Sequence, residues 1–272
     1  TITVEEESFS YGFVAEATAS FTTVSTGVLN INDIVSGIKT DIDNIGKYDT
    51  ETVGNVIRIK RNDNGDFNLQ TSGGTTNRAL YALKSEVSDI SQLPAQCIND
   101  VVLKIRNTAA ATADDYFVKF EATSGEIPGT GTWVETVKPG IPTDLNISSM
   151  PHVLIREANG QFSFRGLSKS AQKEAATFYG ETVDDDDFLF WSGRSVGDEF
   201  TNPAPTFVDK TVVDMFFYQN RLGFLAGENV ILSQAGDYYN FFGGSAIALS
   251  DADPIDLTAT STKPSRLKRA LG

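Results

Sequence analysis

Between residues 31 and 45 the apolar positions fall at Ile31, Ile34, Val35, Ile38, Ile42 and Ile45. Steps of three and four lay one apolar stripe along an α-helix. The pattern predicts a helix over this stretch, capped by Asn32 or Asp33 and stopped at Gly46. Its stripe fits a core, and periodicity alone leaves a neighbouring subunit open as the alternative. Upstream, "SFSYGFVAEATASFTTV" (8–24) reads as strand-like. Downstream, "NVIRIKRNDNGDFNLQ" (55–70) alternates on both sides of Asn64-Gly65, which predicts a β-hairpin. A helical pattern returns in "ALYALKSEVSDISQL" (79–93) and ends at Pro94.

From residue 95 the period is again two. "DVVLKIRN", "DYFVKFEA" and "GTWVETV" read as strands, the last two joined by "TSGEIPGTG", and "HVLIREANGQFSF" predicts a second hairpin around Asn159-Gly160. A polar, helix-compatible insertion, "SKSAQKEAATFYGETVDDDD" (168–187), leads into "VVDMFFYQ", "RLGFLAG" and "NVILSQ". These last three predict a meander of short strands joined by tight turns and closed by "GDYYNFF" (236–242), suited to a β-propeller blade or part of a sandwich. The organisation expected is an N-terminal mixed α/β, platform-like region over 1–94, a β-rich small domain with its insertion over 95–187, and a third region over 188–272.

Composition narrows the chemistry. One Cys (Cys97) excludes an internal disulfide and a thiolate cluster, and one His (His152) excludes a multi-histidine zinc site within the chain. Carboxylates outnumber Lys and Arg 36 to 22, a formal charge of −14, which disfavours tight nucleic-acid binding. The basic tail "KPSRLKR" (263–269) reads as a solvated strand flank. No apolar run approaches the ~20 residues of a membrane-spanning helix. The start at Thr1 and the stop in mid-pattern read as a segment of a longer polypeptide.

Candidate chemistry is sparse. "DDDD" (184–187) lacks the alternating ligands of a calcium loop and reads as a solvated loop. Asp114, Asp115, Asp198, Glu199 and Asp237 are candidates for a glycosidase pair, but so many acids in so acidic a chain do not single out two. His152, in "MPHVLIR", has no nucleophile elbow beside it. "SGGTT" (72–76) and "GTGTW" (129–133) lack the Lys of a phosphate loop and read as turns.

What stands out is an aromatic run: Phe216, Phe217, Tyr218, Phe224, Tyr238, Tyr239, Phe241 and Phe242. Such side chains fill a core or anchor a subunit seam, and the two readings share residues. With the turn-formers Pro203, Pro205, Asn220 and Asn240, and with Arg221 and Asp237, the residues Phe217, Phe224, Tyr238 and Phe241 form the candidate assembly signature. Arg221 is expected to pair with a carboxylate such as Asp237.

Several strings carry a resemblance in the same order: "SEVSDISQLPAQCINDVVLKIRN", "DDYFVKFEATSGEIPGTGTWVETVKPG", "MPHVLIREANGQFSF", "WSGRSVGDEFTNPAPTFVDKTVVDMFFYQNRLGFLAGENVILSQAGDYYNFF" and "SDADPIDLTATST". They resemble the tail tubular protein B family, the tail nozzles of short-tailed, podovirus-type bacteriophages. The match is specific from about Val87 to Thr262 and looser before it. "GLSKSAQKEAATFYGETVDDDDFLF" (166–190) looks expanded relative to the family.

The resemblance implies a structural, non-enzymatic virion protein located in the phage tail. Its fold would be mixed α+β and β-rich, with small strand-and-helix domains followed by the first strands of a β-propeller. The partners implied are further copies of itself in a hexameric tube, the head-to-tail adaptor (tail tubular protein A), a tail fibre, and double-stranded DNA passing without sequence-specific binding during ejection. No catalytic residue, cofactor or metal is implied. Carboxylates facing a lumen would repel the passing phosphates, a rationale for the acidic balance. The alternatives from other classes are a tail-associated glycan hydrolase and a receptor-binding module.

Overall fold

The computed structural model describes residues 2–6, 14–19, 30–71, 80, 82–106, 115–123, 129–179, 188–259 and 266–270. The "DDDD" run, "SGGTT" and Asp114 lie outside them, as do parts of 8–24 and of the basic tail. The chain divides into two compact units, Thr1–Val134 and Glu135–Gly272. It is β-rich and mixed α+β, with two α-helices among the described residues. No helix there is long and apolar enough to cross a membrane.

In the first unit, β1 (Ile2–Glu6) pairs antiparallel with both β2 (Val14–Ala19) and β5 (Asn68–Thr71). Helix α1 (Ile31–Asn44) buries Val35, Ile38 and Ile42, as the spacing predicts. Its cap is Asn30 rather than Asn32 or Asp33: the Asn30 side chain accepts the Asn32 N–H at 3.0 Å. Ile31 is 51% exposed, so the first apolar position of the series stands outside the core. Ile38, Ile42 and Tyr48 form a core with Ile57, Ile59, Phe67 and Leu69 packed against it.

Strand β3 (Tyr48–Val53) makes its hairpin with β4 (Val56–Arg61) across Gly54-Asn55, and β5 joins β1. Asn64-Gly65 therefore does not turn a hairpin. Arg61 explains why. Its guanidinium grips Asp63 (Nε 2.9 Å, Nη2 2.6 Å) and the Asp66 carbonyl (Nη1 3.0 Å), while Asp63 accepts the Gly65 N–H at 2.9 Å. These bonds stabilise a wide loop in which the chain leaves the β3–β4 sheet.

The Asp63 carboxyl is exposed, and the Arg61 hydrogen bond, aided by the Gly65 amide, lowers its pKa from 3.8 to about 2. A folded pKa below the unfolded one favours the folded chain above the unfolded value, and that contribution is lost as pH falls through about 2. An NMR titration should place the Asp63 midpoint near 2, returning toward 3.8 in Arg61→Gln. A wild-type midpoint near 3.8 would mean the grip is absent in solution.

The second sheet of this unit runs β6-β8-β9-β10-β7, from β6 (Glu86–Val87), β7 (Gln96–Cys97), β8 (Val102–Ile105), β9 (Tyr116–Ala122) and β10 (Gly129–Thr136). Of residues 79–93, expected to be helical, 79 and 81 lie outside the described residues and the rest give β6 and one 3-10 turn, Ile90–Gln92. Val87 buries its side chain in the sheet, and the Asp89 carboxylate then caps the Ser91 N–H at 2.7 Å, ending any longer helix. Gly131 permits a close approach, since a Cβ there would lie 2.2 Å from the Glu121 carbonyl oxygen.

In the second unit, β11 (Val153–Arg156) and β12 (Phe162–Arg165) form the hairpin expected around Asn159-Gly160. Gly160 takes φ +84°, the left-handed turn conformation in which glycine carries no steric cost. Buried Glu157 accepts from Arg165 Nη1 at 2.7 Å. Helix α2 (Lys169–Tyr179) follows, and the buried Gln172 side chain ties it to the Leu189 backbone in both directions, at 2.8 and 3.0 Å.

The meander is β13 (Val212–Tyr218), β14 (Arg221–Ala226), β15 (Asn229–Leu232) and β16 (Ile255–Thr258), antiparallel in that order. The closing strand is β16, not residues 236–242. That segment is bent by its own side chains: Asp237 Oδ1 accepts the Tyr239 N–H at 3.2 Å and Asn240 Oδ1 the Phe242 N–H at 2.9 Å. All six residues of β14 are buried. Met150, Phe207, Leu222, Phe224, Ala226, Ile231 and Phe241 form the core on which the meander rests.

Candidate assembly site

The β13–β14 connection is a two-residue turn. Tyr218 pairs with Arg221, and Gln219 and Asn220 take φ +46° and +58°. Positive φ at both positions marks a type I′ turn, whose twist matches the flanking strands. Neither residue is glycine, so the turn needs outside support. Tyr238 supplies it, its hydroxyl donating to Asn220 Oδ1 at 2.7 Å, and the Gly236 N–H donates to the Asn220 carbonyl at 2.9 Å.

Next to the turn, Arg221 is 6% exposed. Its Nη1 donates to the carbonyls of Ser233 (2.7 Å) and Asp253 (2.6 Å), and its Nη2 to that of Asp251 (2.5 Å). The expected Asp237 partner is not used: Asp237 is exposed and caps its own turn. A buried guanidinium is tolerated when its N–H groups meet acceptors, and three main-chain carbonyls of two segments do so. Arg221 thereby fastens the start of β14 to the loop that leads into β16.

The aromatic signature divides. Phe224 and Phe241 stack at 5.4 Å, with Phe207 edge-on to both at 5.0 Å. Phe217 is 62% exposed and meets Tyr238 edge-on at 5.4 Å. Asn240 donates to Gln234 Oε1 at 2.6 Å, and its carbonyl accepts the Gln234 N–H at 2.8 Å. Pro203 is exposed, whereas Pro205 is buried and its carbonyl accepts the Val208 N–H at 3.0 Å. The structure thus gathers Asn220, Arg221 and Tyr238 at one turn, while Asn240 pairs with Gln234 and Phe224 and Phe241 lie in the core.

Three supporting residues escaped the sequence reading. Asn202, 5% exposed, donates to the Val196 and Gly243 carbonyls, each at 3.0 Å, and accepts the Gly243 N–H at 2.9 Å. Arg194, 7% exposed, donates to the carbonyls of Asn202 (2.8 Å) and Pro142 (3.1 Å) and lies over the Phe242 ring. Glu135 receives the Ala246 N–H at 2.8 Å and the Ser245 hydroxyl at 2.9 Å. An Asn in "TNPAP" or an Arg in "SGRSV" carries no periodic signal, because the acceptors lie up to 52 residues away.

Asn202→Ala is expected to destabilise the second unit by about 2–3 kcal/mol, since it leaves buried backbone groups unpaired. Amide exchange should show the Gly243 N–H losing protection first. Unchanged protection there would contradict the role given to Asn202.

Of the carboxylates named as glycosidase candidates, Asp198, Asp115 and Asp237 have other partners in the structure. Burial pushes the Asp198 carboxyl up, but the Thr201 and Phe200 amides and the Thr201 hydroxyl together outweigh it and hold it below the usual range. It therefore stays ionised and suits a cap rather than a general acid. Asp115 pairs with Lys104 at 2.6 Å. His152 is exposed and stacks on Phe164, and burial pushes the Cys97 thiol up. Among the described residues no group of three or more His, Cys, Asp or Glu could hold a metal ion.

A family described as "Bacteriophage nozzle protein" matches residues 2–272. The chain belongs to that family. This nozzle chain is also 33% identical over 201 residues to "Tail tubular protein gp12" of Escherichia phage T7. The aligned stretch is 74% of this chain and 22% of that relative, so the chain spans about a fifth of the length of the curated relative it matches. The nozzle chain is a structural component of a phage virion tail.

Proposed function

We propose that this nozzle chain forms part of the wall of a tail conduit. In the intact virion it assembles as a hexameric tube below the head-to-tail adaptor (tail tubular protein A), carries contacts to a tail fibre, and conducts double-stranded DNA during ejection without reading its sequence. The β13–β16 meander is the first blade of a β-propeller in this reading; its four antiparallel strands and its aromatic core support that assignment. The sequence regions 1–94, 95–187 and 188–272 act as platform, small domain and propeller start.

The observation that carries the proposal is how Arg221 is used. Its charge is directed at three main-chain carbonyls, which holds loops in place and makes Arg221 part of a scaffold. The chain is not an enzyme in this reading and needs no cofactor. Its net charge of −14 supports a wall that does not retain DNA. A ring reconstruction with a mainly basic bore would remove that part of the proposal.

Immunogold electron microscopy of intact virions, with an antibody raised against this chain, tests the assignment. Label on the short tail, away from fibre tips and capsid, is the expected result. Label confined to fibre tips would instead favour receptor binding or glycan hydrolysis.

A further inference from the structure

Both Asn-Gly pairs of the chain, Asn64-Gly65 and Asn159-Gly160, lie exposed to water. Such a pair is chemically reactive, because glycine puts no side chain in the way of attack on the asparagine amide. Once hydroxide has taken its proton, the glycine nitrogen adds to the asparagine Cγ. The Cγ–Nδ2 bond then breaks, and ammonia leaves with a proton drawn from water. A second water opens the resulting cyclic imide at one or other C–N bond, giving aspartate or isoaspartate. The net change is one water consumed and one ammonia released. Both products add a negative charge, and isoaspartate also lengthens the main chain by one carbon. A virion subunit is not replaced after assembly, so this damage accumulates.

At 64–65 the turn itself calls for this pair. Asn64 takes φ +59°, a left-handed conformation that Asn tolerates better than most residues. A Cβ on residue 65 would lie 3.0 Å from both Arg61 Cζ and Asp63 Oδ1, so glycine is what lets the Arg61–Asp63 contact close over the turn. The same contact acts on the reactive nitrogen. Asp63 Oδ1 accepts the Gly65 N–H at 2.9 Å, and Arg61 fixes that carboxylate through Nε at 2.9 Å and Nη2 at 2.6 Å. Taking the proton from Gly65 would break this hydrogen bond and set a nitrogen anion beside a carboxylate. At 159–160 no charged acceptor takes part. The Gly160 N–H donates to the Glu157 main-chain carbonyl at 2.9 Å, and the Asn159 side chain is held by Gln161, its Oδ1 accepting the Gln161 N–H at 2.9 Å.

We propose that Asn64 is a latent deamidation site, held shut by the Arg61–Asp63 pair, which keeps the proton on the Gly65 nitrogen. The turn needs a reactive dipeptide, and the ion pair beside it suppresses the reaction that comes with it. This role is separate from the part the same contact plays in steering the chain out of the β3–β4 sheet. It also stands apart from the conduit reading, since it concerns the lifetime of the subunit and not its place in the tail.

The test incubates the full chain in mildly alkaline buffer and follows aspartate and isoaspartate at each site by peptide mapping and mass spectrometry. Asp63→Ala should raise the rate at Asn64 about fivefold, the effect of freeing an exposed amide from a charged acceptor. Asp63→Asn keeps an acceptor oxygen without the charge, so its rate should fall between wild type and Asp63→Ala. Asn159 should convert at one rate in all three proteins, which makes it the internal reference. Amide protection along β3 and β4 should also be unchanged. Equal rates at Asn64 in wild type and both variants would overturn the proposal. So would a slower rate in Asp63→Ala, because Asp63 would then be the base that removes the Gly65 proton. Faster conversion only where β3–β4 protection is lost would place the effect in unfolding and would overturn it as well.

Discussion

Replacing Arg221 with Met should lower the unfolding free energy of the second unit by about 3–5 kcal/mol, since several buried acceptors lose a charged donor at about 1–3 kcal/mol each. Met retains much of the aliphatic packing of the Arg stem, so the loss isolates the polar end. Three carbonyls, those of Ser233, Asp251 and Asp253, would be left without their donor in a site where Arg221 is 6% exposed. Arg221→Lys should cost less, about 1–3 kcal/mol, because one ammonium replaces part of a planar fork. Arg221→Glu should be worse than either, since it sets a carboxylate against carbonyl oxygens. Urea unfolding followed by Trp191 fluorescence, with Trp133 changed to Phe so that only the second unit reports, measures the effect. A loss below about 1 kcal/mol for Arg221→Met would mean that water replaces the guanidinium at little cost.

The second large effect belongs to Phe207. It is 1% exposed and edge-on to Phe224 and Phe241 at 5.0 Å, so it closes the triangle at the centre of the core. Phe207→Ala should cost about 3–5 kcal/mol, combining lost transfer energy with the cavity left behind. Phe207→Leu should cost less, since it restores part of the volume but not the ring edges that meet the two neighbouring faces. The same fluorescence experiment applies, and the denaturant slope should stay constant if only the native state is affected. A wild-type midpoint in Phe207→Ala would show that the three rings do not form the centre of this core. Either substitution removes a large share of the ~5–15 kcal/mol that stabilises a typical domain.

Local order was legible in the sequence wherever it was periodic. The stripe of α1 named Val35, Ile38 and Ile42 as a buried face, and the spacing of "VVDMFFYQ", "RLGFLAG" and "NVILSQ" named β13, β14 and β15. β16 was not legible. All four of its residues are exposed, and its partner β15 ends 23 positions before it begins, beyond the reach of any local pattern. Asn64-Gly65 misled because turn chemistry says that the chain bends, while the Arg61 grip decides where it goes next. At the site, residue type alone singled out Arg221, Asn220 and Tyr238. It gave Arg221 a carboxylate partner because main-chain acceptors leave no mark in a sequence. Asn202 and Arg194 were invisible for the same reason, and Glu135 because its donors, the Ser245 hydroxyl and the Ala246 N–H, lie 110 and 111 residues away.

The bond between Glu135 and Ser245 spans 110 residues, and this separation orders events in time. Ribosomes add roughly 5–20 residues per second, so about 5–20 s pass between synthesis of the acceptor and synthesis of its donor. Meanwhile β13, β14 and β15 need only short connections and can pair as they emerge. Strand β15 ends at Leu232, 13 residues before Ser245, so the meander is seeded only late in that interval, while the Glu135 carboxylate waits throughout it for its donors.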